Sequence, residues 1–60
     1  MRDKYCVDVW ISSDDPEPID SYIKASKHKR EKVMDRLTRE AFREYPNAEV
    51  VQVTLIEVQP

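Results

Sequence analysis

Six groups that can carry positive charge, Lys24, Lys27, His28, Lys29, Arg30 and Lys32, crowd into nine residues of this chain. Cations at this density can grip phosphates, and each such contact makes binding fall as salt rises. Glu31 and Asp35 interrupt the field, and no nucleic-acid-binding fold signature accompanies it. Drawn as a helix, the run spreads around the circumference instead of forming one stripe. The plainer reading is a solvated segment, or one paired across subunits with Asp14, Asp15, Glu17 or Asp20. Nucleic-acid binding through Lys24, Lys27, Lys29, Arg30 and Lys32 is therefore the alternative function and not the first.

The remaining reactive side chains are scattered. His28 is the single histidine and has no metal-ligand partner at a recognised spacing. Cys6 is the single cysteine, so one chain can form neither a disulfide nor a Cys-based zinc site; a reducing cytoplasm is the expected compartment. In a strand, such a cysteine behaves as a small apolar residue. Asp14, Asp15, Glu17 and Asp20 lack the glycine and the ligand spacing of a calcium loop, and capping with solubility is the better reading. No acid, base and nucleophile converge, so the chain is expected to be noncatalytic, with no cofactor and no metal.

Three residues stand out as interaction groups. Trp10 lies on the outer side of an alternating strand, and Phe42 falls outside the apolar stripe of the helical segment, so neither has an obvious core position. Arg30 falls in the middle of that stripe. A buried unpaired guanidinium is too costly, so Arg30 must be exposed, paired with a carboxylate, or held at an interface.

The elements that position these groups follow from periodicity. Residues 4–11 alternate, with Tyr5, Val7, Val9 and Ile11 on one face and Cys6, Asp8 and Trp10 on the other, which predicts a strand. Pro16 and Pro18 end it and supply helix-start chemistry. No glycine or proline interrupts Ile19 to Tyr45, and Ile19, Tyr22, Ile23, Val33, Met34, Leu37, Ala41 and Tyr45 share one sector of a helical wheel. The expectation is one long helix over residues 18–45, kinked near 26–30 where Ser26 and the basic run break the stripe; the alternative is a short helix and a longer one separated there, with Ser26 as the N-cap of the second. The single helix measures about 40 Å, against about 30 Å for the strand beneath it. Pro46 and Asn47 stop it, and the β-branched run at 48–58 predicts a second strand with Val51, Val53 and Leu55 on its inner face, the more covered of the two.

The expected fold is α+β: one domain over residues 1–60, a strand-helix-strand unit whose long central helix packs on a two-stranded sheet. The strands are expected to run parallel, adjacent or with a gap between them. Two strands and one helix leave too much open edge for a sixty-residue chain. Homodimerisation into a shared four-stranded sheet is therefore expected. Alternation after Met-Arg-Asp-Lys argues against a signal peptide, no run is long enough to span a membrane, and no membrane partner is expected. Charge is uneven: residues 1–20 carry −4, residues 21–40 carry +4 and residues 41–60 carry −2. A basic middle between acidic ends suits self-association or an acidic partner. The first functional expectation is a small regulatory module that binds another protein as a homodimer. Its size suggests an accessory factor of a phage or mobile element acting on a host protein.

Overall fold

Alternation from Asp3 onward puts Tyr5, Val7 and Val9 on one side of a strand, and all three are fully buried. This strand is the centre of the molecule. A computed structural model describes residues 2–58, in which β1 (Asp3–Trp10), β2 (Asp20–Ser26), α1 (Arg30–Glu44) and β3 (Val50–Glu57) follow in order. The expected domain span of 1–60 includes Met1, Gln59 and Pro60, which lie outside the described residues. The sheet order is β2-β1-β3, and β1 pairs antiparallel with both neighbours. The fold is a small α+β unit of three antiparallel strands and one helix.

The long helix expected over residues 18–45 is corrected: its first third is β2, and the helix starts at Arg30. Ile19, Tyr22 and Ile23 fit a helical spacing, but an extended backbone accommodates residues 20–26 as well. Only the extended form lets Tyr22 sit opposite Val7 and Ile23 opposite Cys6 across an antiparallel ladder. Pairing with β1 overrides local helix propensity. Nor does Ser26 cap the helix. Its hydroxyl accepts the His28 N–H at 3.3 Å inside the turn, while the capping position falls to Lys29, whose side chain makes no cap hydrogen bond. The Lys29 carbonyl takes the first helical bond, from Val33 N–H at 3.0 Å.

The expected parallel strands are also corrected. β1 and β3 are adjacent and antiparallel, and the crossover made by α1 joins β2 to β3, which run parallel with β1 between them. Three strands come from one chain where two were expected. β1 is therefore the covered, central strand and β3 an edge, the reverse of the expected ranking.

The chain contains no glycine, and no described residue has positive φ. Tight two-residue hairpin turns of the favoured types need positive φ, so β1 and β2 cannot be joined that way. Residues 11–19 make a longer connection instead. Within it Asp15 N–H donates to Ser12 O at 3.1 Å, and Ser13 N–H reaches Glu49 Oε2 at 2.8 Å, fastening the connection to the start of β3.

The helix covers one sheet face. Val33, Leu37 and Ala41, spaced by four, meet Tyr5, Val7 and Val9, with Val51, Val53 and Leu55 of β3 packed around them. β2 adds only Tyr22 to this cluster, so α1 lies over β1 and β3. Glu31 in the first turn and Arg43 in the last oppose the helix dipole favourably. Tyr45 closes the helix by donating its N–H to Ala41 O at 2.8 Å, and Pro46 prevents continuation.

Candidate interaction surfaces

Among the described residues, no layer covers the second face of the sheet. Strand alternation and register put Cys6, Asp8 and Trp10 of β1, Ser21 and Ile23 of β2, and Val50, Gln52 and Thr54 of β3 on this face. Ile23 is 56% exposed, Val50 is 36% exposed and Trp10 is half-buried, although all three are large and apolar. Trp10 stands opposite Val50, forming an apolar row at one end. Ile23 and Cys6 form another toward the opposite end.

Between these rows runs a polar one, Ser21, Asp8 and Gln52, aligned across the three strands. Asp8 Oδ1 accepts from the Ser21 hydroxyl at 2.7 Å. The Cys6 thiol lies 3.7 Å from both Asp8 carboxylate oxygens and 3.6 Å from Ser21 Oγ. Asp8 is half-buried and held by neighbours on its own face, so its direction is set before any partner arrives. The arrangement can accept one further donor between two apolar contacts. Beside Trp10, a shallow hollow of about 350 Å³ opens between Ser13, Asp15, Pro16, Val50 and Gln52.

Phe42 stays 37% exposed on α1. It does not share a surface with Trp10, because the two residues lie on opposite sides of the sheet. Glu40 and Glu44 lie near Tyr22 of β2, and their charges, after the larger effect of burial, raise the Tyr22 phenol pKa. Arg36 likewise lines a groove with Ala25 and Ser26 at the end of β2. The flank carrying Arg36, Glu40 and Glu44 therefore faces β2, and the opposite flank, Met34, Thr38 and Phe42, lies toward β3.

Arg30 is exposed and paired. Its Nε donates to Asp3 Oδ2 at 2.9 Å, which resolves the polar interruption of the stripe by placing the residue at the first position of α1, beside a carboxylate of β1. This hydrogen bond, with the charge behind it, raises the Arg30 pKa further. Lys24 leaves the cluster in another direction, its Nζ standing 5.8 Å from the centre of the Tyr22 ring. Lys29 is the exposed capping residue of α1.

Lys27 and Lys32 do find neighbours, though mainly ones that the basic run did not contain. Two adjoining grooves of about 220 and 230 Å³ share His28 and Arg36; Arg2 and Lys27 line one, and Lys32 lines the other. Arg2 and Arg36 lie outside the run in sequence and join it only through the fold. Ile19 and Ile23 were also misplaced by sequence reasoning, which put them in the core stripe; they are 50% and 56% exposed. The one signal against a helix there was its overshoot of the sheet, with a basic run in its stripe.

Among the described residues, no three His, Cys, Asp or Glu side chains are placed to hold a metal ion together. No helix among the described residues is long and apolar enough to cross a membrane. No family model, curated protein or solved structure matches the chain.

Proposed function

We propose that this chain is a noncatalytic protein-interaction module that acts as a homodimer and docks a protein partner on the open face of its sheet. The observation that carries the reading is the open face itself: apolar rows with Trp10 and Val50 at one end and Ile23 at the other, on either side of the oriented carboxylate of Asp8. Apolar surface left uncovered on a small domain is the common mark of a binding site. The oriented carboxylate of Asp8 sets the chemistry of the partner, a protein segment with a Lys or Arg between two apolar side chains.

A display selection of short peptides against the immobilised chain tests this. Enrichment of an apolar-basic-apolar pattern is expected, with binding lost in Trp10→Ala and in Asp8→Lys. Selected peptides that bind both variants as well as the parent would overturn the reading. Sedimentation tests the dimer separately: a folded monomer at micromolar concentration removes that part.

A second reading is favoured by the two grooves lined by Arg2, Lys27, His28, Lys32 and Arg36. Convergent cations without a lining carboxylate suit a phosphate backbone. Electrophoretic titration with duplex and single-stranded nucleic acid at two salt concentrations decides it. Absence of binding at low salt excludes this reading.

A further inference from the structure

β3 is an edge strand of eight residues, Val50–Glu57, and its one charged residue is Glu57 at the end. Natural edges are usually guarded by lysine, proline or an inward charge, and an unguarded β-rich edge invites another strand. The opposite edge, β2, carries Asp20 and Lys24 and follows Pro18. The two edges are unlike, and only β3 is left open to pairing by its residue types.

The order of residues in β3 also reads as its own complement. Set antiparallel to a second copy with Val53 opposite itself, Gln52 meets the partner's Thr54, Val51 meets the partner's Leu55 and Val50 meets the partner's Ile56. On the helix side apolar meets apolar; on the open face polar meets polar at Gln52 and Thr54, and Val50 meets the partner's Ile56 beyond them. Directly opposed residues in an antiparallel pair share a face, so this register keeps both helices on one side of the joined sheet. Sliding by two residues spoils it: Val50 then meets the partner's Thr54 in one direction, and in the other Gln52 meets the partner's Ile56 and Val51 the partner's Glu57. A register shift against β1 leaves Ile56 as an extra residue in β3, which ends the regular ladder there.

The helix supports the same seam. α1 lies over β1 and β3 with its Met34, Thr38 and Phe42 flank toward the β3 edge. Strands about 4.8 Å apart bring two helices so placed to roughly 10 Å across a two-fold axis, the ordinary spacing of packed helices. The antiparallel arrangement brings the Met34, Thr38 and Phe42 flanks of the two helices together. This accounts for a large aromatic left 37% exposed on an otherwise ordinary sheet-packing helix.

We infer that a second copy of this chain pairs with β3 in antiparallel register about Val53, giving one six-stranded sheet with the two helices side by side over the seam. The inference rests on the homodimer reading and specifies where the copies meet. Light scattering on two double variants tests it, with circular dichroism as the control for folding. Gln52→Lys with Thr54→Lys sets like charges at both cross-seam pairs and is expected to weaken the dimer by about tenfold or more. Gln52→Lys with Thr54→Glu sets opposite charges at the same pairs and is expected to remain dimeric. Equal weakening in both variants overturns the register, and full dimer in both moves the seam elsewhere while sparing the homodimer. A monomeric parent chain overturns both. In a Cys6→Ser background, oxidation should link Gln52→Cys to Thr54→Cys when the two are mixed and link each alone far less; the reverse preference also overturns the register.

Discussion

Arg30 Nε donates to Asp3 Oδ2 at 2.9 Å, so the first residue of α1 is tied to the first residue of the central strand. Half of the Arg30 side chain is exposed, at 51%, while Asp3 retains 15%. Water and salt screen such a pair, so its effect on stability is small. Asp3→Asn should lower the thermal midpoint slightly, and the difference from the parent should shrink as salt rises. A difference unchanged by salt would show that packing, not charge, holds this corner.

The Tyr45 hydroxyl donates to Asp20 Oδ2 across the end of the helix. That hydrogen bond is the main reason the Tyr45 phenol is raised from 10.0 to about 12, with burial and the Asp20 charge adding to it. Because the folded value lies above the ordinary one, the contribution to stability is fully present below pH 10.0 and is lost as pH rises toward about 12. Spectrophotometric titration should show Tyr45 ionising late, with Tyr22 also displaced upward, and Asp20→Asn should bring Tyr45 back toward the ordinary range. Tyr45→Phe should flatten the alkaline limb of the stability profile.

Tyr5 is fully buried, and its hydroxyl has no hydrogen-bond partner among the described residues. An unpaired buried hydroxyl costs about 1–3 kcal/mol, whereas the ring fills the core against α1. Tyr5→Phe should therefore hold stability or raise it by about 1 kcal/mol. Tyr5→Ala, which removes the ring, should lower it by about 3 kcal/mol or more. Urea unfolding of the two variants measures the contrast; a large loss in Tyr5→Phe would mean that the hydroxyl is bonded in solution.

Core and open face should respond differently to truncation. Leu37 is 3% exposed against the sheet, and Leu37→Ala should cost about 3 kcal/mol. Trp10→Ala, on the open face, should leave helical content nearly unchanged and weaken capture of the apolar-basic-apolar peptide. Phe42→Ala, on the helix flank, should weaken self-association and spare peptide capture. Urea unfolding, peptide titration and sedimentation separate the three outcomes.

Much of this arrangement was legible before the structure. The two faces of β1, the inner face Val51, Val53 and Leu55 of β3, and the buried stripe Val33, Leu37 and Ala41 follow from periodicity; Ile11, expected on the inner face of the first strand, instead lies past its end and is 37% exposed. Residues 20–26 did not, because Ile19, Tyr22 and Ile23 satisfy helical and extended spacing alike, and no glycine or proline marks the boundary. The clue was the overshoot of a helix too long for its sheet, accompanied by a basic run in its stripe. A strand paired with β1 removes both difficulties, but that pairing is long-range and periodicity does not report it. The partial exposure of Trp10 and Phe42 was legible because large apolar groups without a core position are visible in sequence. The Asp8 row and the Arg2 and Arg36 walls were not, since only strand register and the turn before α1 bring them to their neighbours.

The backbone without glycine also shapes the unfolded chain. Each glycine at a position that alanine could occupy would weaken a protein by about 0.4–1 kcal/mol, through the extra freedom it gives the disordered ensemble. A nine-residue connection in place of a two-residue turn adds about 1 kcal/mol of loop-closure entropy, because that term grows only logarithmically with length. Exchanging a tight turn for residues 11–19 is thus close to neutral, and glycine-free strands and helix keep the disordered state stiff. For a chain this short, part of the stability of the fold resides in what its unfolded form is unable to do.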